Sequence, residues 1–93
     1  MRVGLLRVRL LVRDSRSLKE KRSIIKSIKD RIKSKFNVSV AEVGRLDNKK
    51  IGELGVAFVS NDSRFSQSVL SKILAAISMN PFAEVTESDI EIL

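Results

Sequence analysis

Polar and apolar residues alternate from Arg2 to Val12, with Leu6, Val8, Leu10 and Val12 on one face and Val3, Leu5, Arg7, Arg9 and Leu11 on the other. A period of two built from leucine and β-branched residues predicts a strand. Asp14 to Arg16 reads as a short loop. Ser17-Leu-Lys-Glu20 then has the form of a capping box, in which the serine hydroxyl accepts from the third helical amide and Glu20 reaches back to the serine amide. From Leu18 to Phe36 the period becomes helical, with Leu18, Ile25, Ile28, Ile32 and Phe36 on one stripe and Ile24 beside it. A second strand is predicted over residues 37–45. Its alternation slips around Ala41 and Glu42, which suggests a bulge there. Asp47-Asn48-Lys49 supplies turn chemistry for a hairpin. The third strand, residues 51–60, places Leu54, Val56 and Phe58 on one face and Gly55, Ala57 and Val59 on the other. Asn61 and Asp62 cap a second helix with the stripe Phe65, Val69, Ile73, Ala76 and Ile77, and Asn80-Pro81 ends it. A closing strand, residues 84–93, turns Ile90 and Ile92 one way and Glu87, Asp89 and Glu91 the other.

The order β-α-β-β-α-β, with right-handed crossovers, puts both helices on one face of a four-stranded sheet. The fold class expected is therefore α+β: a ferredoxin-like sandwich with an antiparallel sheet in the order 4-1-3-2. Residues 1–93 are read as a single domain, long enough for one modest core, with no linker or low-complexity tract.

Composition removes several kinds of chemistry. With neither cysteine nor histidine, there is no disulfide, no thiolate metal site and no side chain whose ordinary pKa lies near neutrality. No apolar run approaches the roughly 20 residues of a membrane span. At the N-terminus Arg7 and Arg9 interrupt any signal-like apolar region, so a cytoplasmic location is expected and no membrane partner. The net charge of +7 is unevenly placed: residues 1–17 carry +4, residues 18–35 carry +6 and residues 36–93 carry −3. The positive field belongs to the first third of the chain.

Most of that field lies on the first helix. On a helical wheel Lys19, Arg22, Lys26, Lys29 and Lys33 share a sector of about 80° and run about 21 Å along the axis. Only Asp30 is near enough to answer them. Like charges at i,i+3 and i,i+4 repel, which gives a physical reason to look for an anionic partner. Ammonium groups in a row suit phosphate backbones and carry no base readout, whereas the bland alternative is a solvated helix face. Lys21 falls inside the apolar stripe; it is expected to snorkel from the first turn, or else to aim its ammonium over the sheet edge at a ligand. The loop before the helix offers Arg13, Ser15 and Arg16 as an anion-binding set at a helix N-terminus. It lacks the glycines that let a backbone wrap an anion, and Ser17 and Glu20 are already committed to the cap.

Other candidates are weaker. RNA-binding domains of this strand order stack bases on sheet aromatics. Here Phe36, Phe58 and Phe65 pattern toward the core and Phe82 lies in a loop, so stacking on the sheet is not expected. Glu87, Asp89 and Glu91 could suggest a metal, but the neighbouring strand offers Arg7 and Arg9 as cross-strand partners. No base, nucleophile and oxyanion set can be assembled, so no catalytic residues, cofactor or metal are expected. The open sheet face carries Val3, Leu5, Leu11, Ala57, Val59 and Val43, much apolar surface for a monomer, and a homodimer through that face or through edge strands is expected.

The blocks SLKEKRSIIKSI, FNVSVAEVG and ELGVAFVSND and the closing EIL, in order along essentially the whole chain, resemble the YlxP-like proteins, small bacterial proteins of uncharacterised function. The resemblance implies a ferredoxin-like fold and no catalytic activity. It also implies a link to translation, since members are often encoded near initiation factor two and ribosome-binding factor A. Where relatives often have His-Gln-Asp in the hairpin, this chain has Arg45-Leu46-Asp47. The leading expectation is a non-enzymatic accessory protein of translation or ribosome assembly that contacts RNA phosphates through its first helix, with ribosomal RNA or the ribosome as partner. The alternatives are a dimeric small-molecule regulatory module and, last, an acylphosphatase-like enzyme using the loop arginines.

Overall fold

The computed structural model describes residues 1–93. Its elements are β1 (Arg2–Leu11), α1 (Leu18–Lys35), β2 (Ser39–Gly44), β3 (Ile51–Ser60), α2 (Ser63–Ser78) and β4 (Glu84–Ile92). All strand pairs are antiparallel, and the sheet runs β2-β3-β1-β4, the expected order read from its other edge. Both helices pack on one face, α1 over β2 and β3 and α2 over β1 and β4.

The core is the inward face of each alternating strand closed by two helical stripes. Leu6, Val8, Leu10 and Val12 of the first strand and its extension meet Leu54 and Val56 of β3, with Ile25, Ile28 and Ile32 above one half and Leu70, Ile73 and Ile77 above the other. Burying each such side chain is worth roughly 1.5–3 kcal/mol, which is what keeps both helices on the sheet. The caps form with one change. Ser17 accepts from the Glu20 amide at 3.1 Å, but the Glu20 carboxylate reaches past the serine to accept from the Arg16 amide at 2.8 Å. Asp62 caps α2, accepting from the Arg64 and Phe65 amides.

Two expectations are corrected. Phe65 does not join the core; it is 56% exposed and tilts against Phe58 with ring centroids 5.9 Å apart. The inward stripe of α2 is Ser66, Leu70, Ile73 and Ile77, because the helix lies directly over Gly4. A Cβ at Gly4 would come within 2.8 Å of Leu70 and 3.5 Å of Ser66. Ser66 answers its burial with a 2.6 Å hydrogen bond to the Ser60 hydroxyl. The irregularity in β2 falls at Val43, where the register with β3 shifts between Glu42 and Gly44, and not at Ala41–Glu42. Alternation runs through Glu42 unbroken, so Glu42 points inward. A second shift, in the β1–β4 pairing between Arg9 and Leu10, was not foreseen.

Candidate functional site

Lys21 occupies the first position of the inward stripe of α1, followed by Ile25, Ile28 and Ile32. It does not snorkel, and it is not free for a ligand. Its side chain is 0% exposed, and Nζ donates to the carbonyls of Arg45 at 2.8 Å and Ile51 at 3.1 Å. The Glu42 Oε2 lies 3.1 Å away, an ion pair set off the hydrogen-bonding direction. The partners come from the β2–β3 hairpin, which is shaped to supply them. Arg45 adopts a left-handed conformation, φ 59°, that turns its carbonyl inward, where it also accepts from the Asn48 amide. The Asn48 side chain in turn accepts from the Lys50 and Ile51 amides. A buried ammonium holding a carboxylate and two carbonyls pins the hairpin to the helix, and sequence reasoning missed these partners. The inward Glu42, read along the alternation from Val40, was the available signal.

One flank around the helix from Lys21 lies the basic stripe. Lys19, Arg22, Lys26 and Lys33 are exposed and Lys29 is half-buried. Lys26 is paired with Asp30 at 2.7 Å. That hydrogen bond, reinforced by the charges of Lys33 and Lys29, holds the Asp30 carboxyl below the usual carboxylate range although burial opposes the shift. Lys19, Arg22, Lys29 and Lys33 have no carboxylate within ion-pair distance. The stripe lines a groove of about 420 Å³ between α1 and β2, with Arg22, Lys26, Lys29 and Lys33 along one wall and Glu42 at its inner side.

The loop before α1 is organised differently. Ser15 is 1% exposed and donates to the Ser17 carbonyl at 3.0 Å. Arg13 pairs with Glu84 at 2.8 Å, and its carbonyl accepts from Lys50 Nζ at 2.6 Å. Arg16 remains exposed with no carboxylate on its guanidinium. The expected anion set is thus not gathered round one opening, since two of its three members already have partners within the chain.

The open sheet face divides in two. On one half Arg9 bridges Glu53 at 3.2 Å and Glu87 at 3.3 Å, and Arg45 also reaches Glu53 at 3.3 Å. Arg7 stands opposite Asp89 in the β1–β4 register but forms no ion pair with it. The other half is apolar. Small residues Ala41, Gly55 and Ala57 floor a trough of about 370 Å³ walled by Leu5 and Val43, with Arg7 at one end.

Comparison with known proteins places these features in a family. The model of a protein family of unknown function, DUF503, matches residues 3–90. The uncharacterized protein YlxP of Bacillus subtilis is 36% identical over 84 residues, covering 90% of this chain and 91% of the relative. Among solved structures, the de novo designed protein Foldit4 superposes with a TM-score of 0.55 at 18% identity, over 100% of this chain and 97% of the design. A second de novo design with a ferredoxin fold, LFR1, gives 0.53 at 14% identity, over 98% of this chain and 86% of its own. At such identities these likenesses speak for the fold alone. Family model and bacterial relative together cover the sheet, both helices and the basic flank: the chain belongs to the DUF503 family, the family of YlxP.

Proposed function

We propose that this protein is a non-enzymatic accessory factor of translation or ribosome assembly, acting in the cytoplasm, that binds RNA phosphates along α1. The observation that carries the reading is the run of Lys19, Arg22, Lys29 and Lys33 without carboxylate partners, beside the one cation, Lys26, that has one. Holding four like charges along one flank costs a few tenths of a kcal/mol per neighbouring pair. Phosphates laid along the flank would relieve that repulsion and release counterions. The link to translation comes from the resemblance to YlxP-like proteins. Titration of structured ribosomal RNA at several salt concentrations tests the reading. Three to five phosphate contacts predict a log K against log salt slope of about −2 to −4. Absent binding, or binding indifferent to salt, rejects it.

A second reading is favoured by the apolar half of the open sheet face. Val59 and Val43 are more than half exposed, and the trough over Gly55 and Ala57 lies between them and Leu5. A homodimer covering this half, with a small ligand in the trough near Arg7, would make the protein a regulatory module. Size-exclusion with light scattering decides the dimer, and a species near 10.4 kDa ends it. Thermal-shift screening with amino acids and nucleotides decides the ligand.

A further inference from the structure

The basic flank lines a groove that also holds Asp30 and meets β2 at Glu42. That strand pairs only with β3, so its outer margin carries backbone N–H and C=O groups with no strand beside them. Such margins are commonly guarded by proline or by charge on the strand itself. Here β2 reads Ser-Val-Ala-Glu-Val-Gly, and its one charged residue, Glu42, is turned inward onto Lys21. The guard is the neighbouring helix. A second copy joining β2 to β2 about a two-fold axis normal to the sheet would set one basic flank against the other. The margin is closed to a twin and open to an anion.

The flank is also straight. Arg22, Lys26, Lys29 and Lys33 follow one another at rises of about 4.5–6 Å along the axis, a spacing comparable with that of successive phosphates on one strand. A duplex backbone winds away from a straight stripe, whereas a single strand can follow it from end to end. A strand laid on the flank can turn its bases across the groove. There the free margin of β2 offers both donors and acceptors, as unpaired base edges require.

We infer that the ligand class is single-stranded RNA lying in the groove between α1 and β2, its phosphates on Arg22, Lys29 and Lys33 and its base edges on the outer margin of β2. This rests on the phosphate-binding reading and adds to it the form of the RNA and the second wall of the site.

The test titrates the isotope-labelled full chain with a single-stranded RNA and with a duplex RNA of equal phosphate number, at one salt concentration, while backbone amide shifts are followed. The single strand should bind about tenfold or more tightly, because base-edge hydrogen bonds add to phosphate contacts, and the amides of residues 39–44 should shift together with those of α1. The Lys29→Gln/Lys33→Gln variant should keep the unbound spectrum and weaken single-strand binding roughly 20-fold at 0.1 M salt. Equal binding of the duplex, with shifts confined to α1, overturns the inference and leaves the phosphate reading standing. Shifts of residues 39–44 with a glutamate-rich peptide and none with either RNA overturn both and assign the margin to an acidic extended partner. Binding of neither RNA also overturns both.

Discussion

Two lysines on one helix, a turn or two apart, meet opposite fates. Lys21 is enclosed and its ammonium faces three oxygens of the β2–β3 hairpin; Lys29 and Lys33 on the flank make no hydrogen bond or ion pair within the chain, and of their neighbours only Lys26 is paired. The fold supplies three partners for the charge it buries and, along the displayed flank, one carboxylate for five cations. Removing a buried ammonium from its carboxylate and carbonyls leaves polar groups stranded away from water, so that lysine is tied to stability. Removing a displayed one leaves nothing stranded, so those cations are tied to whatever approaches from outside.

Substitutions on the two sides should therefore separate cleanly. The largest effect is expected from Lys21→Met, which fits the apolar stripe but strands Glu42 and takes the ammonium from both carbonyls, leaving Arg45's with the Asn48 amide. Urea denaturation should show a loss of about 3–5 kcal/mol, with the hairpin amides 45–51 losing hydrogen-exchange protection first. A cost below about 1 kcal/mol would mean that the ammonium is not the hairpin's anchor. Glu42→Gln keeps an acceptor but removes the counter-charge. It should cost about 1–3 kcal/mol by the same measurement, less than the lysine substitution because the two carbonyls remain.

On the displayed side, Lys19→Gln/Arg22→Gln/Lys29→Gln/Lys33→Gln should not lower the denaturation midpoint, and relief of the like-charge repulsion should raise stability by up to about 1 kcal/mol. A modest effect of the opposite sign on affinity belongs to Asp30→Asn. This removes the flank's one carboxylate and frees Lys26, so RNA affinity should rise about five- to eightfold at 0.1 M salt if Lys26 gains one phosphate contact. Acid should act in the same direction. The Asp30 carboxyl is held low in the folded chain, so the Lys26 pairing is intact above the ordinary aspartate pKa of about 3.9 and is lost only as pH falls through the lowered value. Salt-slope measurements from pH 7 down to pH 5 should therefore coincide.

The same contrast explains what could be read from the residues alone. The displayed stripe is a local pattern, visible in the spacing of five cations within one helix. The element order, both helix caps and the strand order likewise follow from periods of two and of three to four with short-range turn chemistry. The buried lysine's partners are not local: they lie 21, 24 and 30 residues away, and two of the three are backbone carbonyls with no side-chain signature. The left-handed Arg45 that aims one of them is not one of the residue types, glycine, asparagine or aspartate, that favour that conformation. Glu42 looked like a slip in the alternation because an inward carboxylate makes no sense until Lys21 is placed opposite it. Phe65 falls on the apolar stripe of α2 by helical spacing. The close approach of α2 to Gly4 gives that place to Ser66 instead. Of the loop set, Arg13 and Ser15 were recognisable as polar groups near a helix start. Their partners Glu84 and the Ser17 carbonyl were fixed only by the strand pairing and the turn.

The account stands most directly on the salt dependence of RNA affinity, compared between the native chain and the four-substitution flank variant. It predicts a slope of about −2 to −4 for the native chain and a nearly flat line for the variant, with the variant no less stable to urea than the native chain. Two parallel lines, whatever their height, would contradict it.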